Sequence, residues 1–248
     1  MLVTNAETGT NIAEVGDGLY RINTPVPIPG QQFSFNQYLL LADEPLLFHT
    51  GLRSLFPHVR EAMAAVMPVE KLRHIAFSHV EADECGALNL WLEAAPHAAP
   101  LCGQIAAMVS VNDLADRAPR ALADGEAVSL GNRLVRWLDA PHVPHGWENG
   151  FLYEEVTGTL FCGDLFTQPG TGDVPVTESD ILGPSEQFRA MDYYAHGPNT
   201  RAVLERIAAT EPETLACMHG SAWRGKGGDL IRALADAVTG PAALPRAA

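Results

Sequence analysis

Ser78-His79-Val80-Glu81-Ala82-Asp83-Glu84-Cys85-Gly86 follows the strand-like run Leu72 to Phe77. A buried strand that runs into a polar tip and then a helix start places side chains where a sheet edge opens to solvent. His79, Glu81 and Asp83 alternate with small residues, so an extended or looped backbone projects them to one side, as a comb of metal ligands. The same positions also fit an ordinary polar loop, and the remainder of the chain decides between the two.

Three further turns after strand-like runs carry possible metal donors. His142 and His145 lie in Ala140-Pro141-His142-Val143-Pro144-His145-Gly146. Asp164 lies in Phe161-Cys162-Gly163-Asp164, and His219 lies in Cys217-Met218-His219-Gly220. Four strand ends thus each offer a donor, a pattern far more specific than any one of its parts.

The chain of 248 residues, 47% hydrophobic, is long enough to bury a full core and has no linker-like break. It is expected to form one domain over residues 1–248, with 239–248 a frayed tail. Strands are predicted over 12–23, 33–42, 46–48, 72–77, 100–102, 127–130, 133–138, 151–155, 159–162 and 214–218. Helices are predicted around 55–66, 86–94, 104–116, 185–195, 199–208 and 229–238. This interleaving gives an α/β layered fold. The proline-rich stretch Thr24–Gly30 and the Thr/Gly/Pro-rich stretch Thr167–Gly183 read as loops, and Arg224–Gly228 as a solvated connector.

Sixteen Lys and Arg against thirty Asp and Glu give a net charge of −14, which repels phosphate backbones and anionic lipid surfaces. Nucleic acid and membrane are therefore not expected partners. No apolar run spans a bilayer and the start carries no signal-peptide core, so a cytoplasmic location is expected. The four cysteines are scattered without a C-x-x-C pair, which favours reduced, buried thiols.

The combination His-x-Glu-x-Asp, a His some sixty residues on, a Gly-Asp turn and a late His-Gly resembles the metallo-β-lactamase fold in its oxygen-binding diiron form, the catalytic domain of flavodiiron proteins. The resemblance runs from about Gly18 to Trp223. It implies an αββα four-layer sandwich, two mixed β-sheets flanked by helices, with metals at one edge. It implies that a first metal takes His79, Glu81 and His145, a second takes Asp83 and His219, and Asp164 bridges them. His145 is preferred to His142 because Asp164 lies 164 − 145 = 19 positions later, similar to the family's offset. His142 is then a neighbour that supports the site, and Tyr193, Tyr194 or His196 could line its pocket; Tyr194 is taken as the catalytic candidate alongside Asp164 and His142. His58, His74 and His97 are read as ordinary polar residues.

Hydrolytic relatives usually show His-x-His-x-Asp-His; here Glu81 stands at the second His and Glu84 at the last. Exchanging imidazole for carboxylate makes the site harder and more anionic, favouring iron or manganese over zinc. Two metal ions, iron foremost, are the expected cofactors. His49 stands where related sequences often have Asp before Thr-Gly. The chain ends about thirty residues after the last ligand, so no flavodoxin-like domain and no bound flavin are expected, and electrons would come from a separate redox protein partner. The reading is of a non-haem diiron protein that binds dioxygen or nitric oxide, as reductase or sensor. The alternative is a metal-dependent hydrolase of a thioester, lactone or phosphoester acting on a small-molecule substrate; a module using metal for structure alone is the third. A homodimer is plausible from the resemblance, with Trp147-Glu148-Asn149 at an interface or pocket rim.

Overall fold

A computed structural model describes residues 1–28 and 30–240. Most of the expected tail lies outside the described residues. The first sheet contains β1 (Leu2–Val3), β2 (Asn11–Gly16), β3 (Leu19–Ile28), β4 (Gln31–Leu40), β5 (Leu46–Phe48), β6 (His74–Ala76), β7 (Ala99–Gly103) and β8 (Arg120–Leu122), in that spatial order. Pairing is antiparallel from β1 to β5 and parallel from β5 to β8. The second sheet is built from β9 (Ala127–Ser129), β10 (Leu134–Asp139), β11 (Gly150–Glu154), β12 (Thr159–Phe161), β13 (Val176–Thr177), β14 (Thr214–Ala216) and β15 (Ala222–Arg224). Its order is β13-β15-β14-β12-β11-β10-β9, with β12 and β14 parallel.

Strand alternation sorts the core into three layers. Leu39, Leu47 and Ile75 face outward, where α1 (Phe56–Ala64) and α3 (Leu88–Ala94) cover them with Val59, Met63, Trp91 and Leu92. Tyr38, Leu40, Leu46, Phe48 and Ala76 face inward and meet Val135, Trp137, Leu152 and Phe161 of the second sheet. On the far side, Phe151, Leu160 and Leu215 are covered by α7 (Thr200–Ala208) and α8 (Gly227–Thr239). The continuous apolar run Leu46-Leu47-Phe48 is explained by this: both faces of β5 are buried. The result is the predicted helix–sheet–sheet–helix sandwich.

Several local expectations change. Thr24–Ile28 is not a loop but the end of β3, paired with β4 through Ile28. Its prolines are tolerated because β2 pairs no further than Asn23, so beyond that point β3 has an open edge where no N–H is required. The expected loop 167–183 contains the short strand β13, held by parallel pairing to β15. In the expected connector 224–228, Gly227 and Gly228 are buried and begin α8. The expected helix over 86–94 starts earlier, as the single turn α2 (Ala82–Cys85), so Asp83 sits on a helix rather than on an extended comb. Helix 104–116 is realised as α4 (Gln104–Ala106), a π segment over Ala107–Val111 and α5 (Asn112–Leu114). Helix 185–195 is shorter: α6 (Leu182–Ser185) continues as a 3₁₀ stretch to Met191, and Asp192 ends it in the left-handed region at φ 55°.

Trp137 ties the two sheets together. It is fully buried, and its indole fills the space over Gly150, where an added Cβ would meet Cζ2 at 2.1 Å. Gly150→Ala is therefore expected to lose about 1–3 kcal/mol of stability through overpacking, read as a lowered denaturant midpoint. An unchanged midpoint would show that the indole can move.

Candidate metal centre

The donors converge because parallel strands end together. β6, β12 and β14 each deliver a side chain three positions beyond their last residue: Ala76 to His79, Phe161 to Asp164 and Ala216 to His219. β10 runs in the same direction as β12, since both are antiparallel to β11, and the turn after it carries His145. Sites at the carboxyl ends of such strands are the rule for open α/β sheets. Two glycines make the turns possible. Gly163 sits at φ 50°, and a Cβ there would meet Ser78 Oγ at 2.3 Å; Gly220 sits at φ 85° against Gln168.

Buried polar groups lock the His219 turn. The Asn36 amide donates to the carbonyls of Cys217 and Gly220 at 2.9 and 2.8 Å. Tyr38 donates to Cys217 O at 2.8 Å, and Arg21, fully buried, donates from Nη2 to Gly220 O and Gly172 O.

All six expected ligands come together. One ligand atom each from His79, Glu81, His145 and Asp164 lies within 4.8 Å of the others. Asp164 faces two ways. Its Oδ2 is 3.2 Å from His145 Nε2 and 3.9 Å from His79 Nε2, and its Oδ1 is 3.2 Å from His219 Nε2, which in turn is 3.6 Å from Asp83 Oδ2. Glu81 Oε2 lies 2.7 Å from His79 Nε2 and 3.5 Å from His145 Nε2.

Each histidine is anchored through its other nitrogen. His145 Nδ1 donates to Tyr193 O at 3.1 Å and His219 Nδ1 to Ser34 O at 2.9 Å, while His79 Nδ1 lies 3.2 Å from Glu84 Oε2. A carbonyl oxygen only accepts, so Nδ1 must carry the proton, and the neutral ring turns a bare Nε2 toward the carboxylates. Lone pairs facing lone pairs call for a cation between them, and this outer anchoring is what metal-bound histidines show. The residues fit a metal pair.

In the absence of metal, protons fill that role. Burial alone would lower the His79 pKa, but Glu84, Glu81 and Asp164 outweigh it and push it up to about 12; His145, also opposed by burial, is pushed up to about 10 by Asp164 and Glu81. His219 is raised chiefly by Asp164, again against burial. Burial, with the charges of Asp164, Glu84 and Glu81, pushes Asp83 up to about 7 despite His219. Hydrogen bonds from His145 and His79 hold Glu81 down at about 2.

A cavity of about 440 Å³ opens onto these groups, lined on its apolar side by Phe33, Phe35, Phe188, Met191 and Tyr193. Phe33 and Phe35 share one face of β4, and their rings lie 4.4 and 5.3 Å from that of His219.

Two expected site residues are not part of this arrangement. His142 is exposed, at φ 62°, and among the described residues no hydrogen bond or ion pair joins its ring to the cluster. Tyr194 is buried in the core beneath α7, not in the cavity. Asp192 ends the helix just before the two tyrosines, which go to different places. Tyr193 takes the cavity position, its ring 4.8 Å from His145 and its hydroxyl 2.8 Å from Thr167 Oγ1. His196 pairs with Asp192 near the surface. Phe33 and Phe35 carried a readable signal, two aromatics at strand spacing; Phe188 and Met191 carried none.

The sequence pattern of the ODP family beta lactamase matches residues 33–220. The chain belongs to this family. Rubredoxin-oxygen oxidoreductase of Megalodesulfovibrio gigas is 27% identical over 206 residues, 77% of this chain and 50% of that protein. Among solved structures, the rubredoxin oxygen:oxidoreductase from Desulfovibrio gigas superposes with a TM-score of 0.74 at 21% identity, covering 91% of this chain and 60% of that one. The flavodiiron protein from Giardia intestinalis gives 0.77 at 17% identity, with 92% and 59% covered. At these identities the structural likeness speaks for the fold, which matches the metallo-β-lactamase-type core of flavodiiron proteins. The chain spans about half the length of the first of these relatives. No helix among the described residues is long and apolar enough to cross a membrane.

Since His79 and His145 hold protons in the metal-free protein at neutral pH, zinc added to the apoprotein is expected to release on the order of two protons per chain. Affinity should weaken as pH falls, because protons and metal compete for the same nitrogens. A pH indicator in weakly buffered solution measures the release; none at pH 7 would contradict the crowded-carboxylate picture.

Proposed function

We propose that this chain holds a dinuclear non-haem metal centre, of iron, that binds dioxygen or nitric oxide. It would act as a reductase fed by a separate redox protein or as a sensor of the diatomic. The observation that carries this is the two-sided Asp164, whose Oδ2 serves the His79–Glu81–His145 group and whose Oδ1 serves His219 and Asp83. A bridging carboxylate between two ligand sets is what a metal pair requires. The likeness to a protein named rubredoxin-oxygen oxidoreductase supports the same chemistry.

Three carboxylates, Glu81, Asp83 and Asp164, with three imidazoles form a hard, anionic donor set suited to iron or manganese. Bound iron would supply one-electron redox steps and a place for a diatomic ligand. The chain's own residues do the rest. Glu81 and Asp83 neutralise charge from opposite flanks, Asp164 spaces the two halves, and Phe33, Phe35, Phe188 and Met191 exclude water from the side facing the cavity. Tyr193 positions His145 through its carbonyl, and its hydroxyl, bonded to Thr167, reaches to 3.5 Å from Asp164 O.

One observation favours a second reading. A cavity of about 440 Å³ exceeds what a diatomic needs and falls within the usual range of organic-ligand sites. A metal-dependent hydrolase of an apolar ester, thioester or lactone would use such a space. In that case Asp164 would hold a metal-activated water.

Protein purified anaerobically without added metal is expected to contain about two irons per chain, and its reduced form to consume dioxygen or nitric oxide rapidly. Zinc in place of iron, with no reaction of the reduced form, would transfer the assignment to the hydrolase. Asp164→Ala is expected to cut metal content to one ion per chain or fewer, measured by elemental analysis; full retention of both would remove Asp164 from the bridging role.

A further inference from the structure

Glu84 stands one position after Asp83, yet its carboxylate turns away from the cavity. It is fully buried. Oε1 accepts from Ser78 Oγ at 2.6 Å and lies 3.4 Å from His49 Nε2. Oε2 accepts from the His79 backbone N–H at 2.7 Å and lies 3.2 Å from His79 Nδ1. His49 is equally buried and sits at φ 66°, a conformation its surroundings must impose. Its backbone N–H donates to Ala76 O, and the next residue, Thr50, donates from its backbone to Glu84 O at 2.7 Å. Among the described residues, the His49 ring has partners only on the Nε2 side, Ser78 Oγ at 3.3 Å and Glu84, while Nδ1 has none. The proton therefore belongs on Nε2, where an acceptor waits.

We propose that His49 and Glu84 form a positioning pair for the metal centre, with Glu84 accepting the Nδ1 proton of His79 and His49 bracing Glu84 from behind. Neither residue is a ligand. This rests on the metal-centre reading above and assigns it an asymmetry. His145 and His219 are backed by neutral backbone carbonyls, whereas His79 is backed by a carboxylate. A carboxylate behind the ring fixes its tautomer and makes its other nitrogen the stronger donor. The metal held by His79, Glu81 and His145 is then gripped more tightly than its neighbour. The same contact explains why a third acid fits beside Asp83: Glu84 is spent on the ring behind the ligands, not on the ions in front. It also joins two departures from related sequence patterns, His49 and Glu84, into a single device.

The test is Glu84→Gln, which keeps the shape and removes the charge, with zinc as the probe. Chelator competition at fixed pH is expected to show one of the two zinc-binding events weakened about 10–100-fold and the other little changed. In the zinc-loaded protein, the His79 Nδ1 proton resonance should move upfield, a signature that loss of packing alone would not give. His49→Gln, which still offers a donor to Glu84, should weaken the same event by a smaller factor, and it carries the test if Glu84→Gln does not fold. Equal zinc affinities in parent and variants, an unmoved Nδ1 resonance, or equal weakening of both events would each overturn the pair. A parent protein that binds no zinc, iron or manganese would instead overturn the metal reading, and the pair with it.

Discussion

Everything near the mouth of this molecule depends on one electrostatic constraint: Glu81, Asp83 and Asp164 point their oxygens at three ring nitrogens in a basin whose floor is buried and whose rim, at Glu81, is exposed. Asp164 and His219 are almost wholly buried. Such a concentration of acceptors is unfavourable by itself, because burying charge is costly without a partner of opposite sign. Protons on His79 and His145 relieve it in the metal-free chain, and cations relieve it better, since one divalent ion faces several donors at once. The scaffold pays for this through rigidity elsewhere: the parallel ends of β6, β12 and β14, the Trp137 contact between sheets, and the buried Arg21–Asn36–Tyr38 bonds under the His219 turn leave the ligands little room to move apart.

Much of this was legible in the chain because the informative residues lie where two periodicities meet. The nearly continuous apolar run within Phe35–Leu41 reads as a strand covered on both faces, and β4 is buried at every position from Asn36 to Leu40; His79, Asp164 and His219 each stand in the turn after a strand-like run. What stayed hidden was set by partners distant in sequence. The prolines at 25 and 27 look incompatible with a sheet until it is known that β2 pairs with β3 no further than Asn23. β13 consists of two residues whose strand character comes from β15, not from their own propensity. Asp192, a left-handed residue that no helical pattern announces, ends the helix before Tyr193 and Tyr194.

Asp83 shows a subtler limit. Alternation along an extended backbone correctly brings His79 and Glu81 to one basin, but Asp83 arrives there by another route, on the first turn of α2. Glu81, at the helix N-cap, keeps extended dihedrals and reaches His79 and His145. Asp83 reaches the His219 side. The change from strand-like to helical geometry within three residues is what lets one short segment reach both the His79–His145 side and the His219 side of the basin.

The same turn decides the fate of Glu84. In an extended chain it would lie on the face opposite Asp83 with nothing to specify its partner; on α2 its carboxylate is directed back under Ser78 and His79. A buried carboxylate there must be matched by donors, and Ser78 Oγ, the His79 backbone and the His49 ring supply them. Two acids adjacent in sequence thus come to opposite uses, Asp83 facing the His219 side of the donor basin and Glu84 facing the back of the His79 ring. Composition alone would count both as candidate ligands. Only the helix start, the direction of each side chain from it, and the donors waiting on each side divide them.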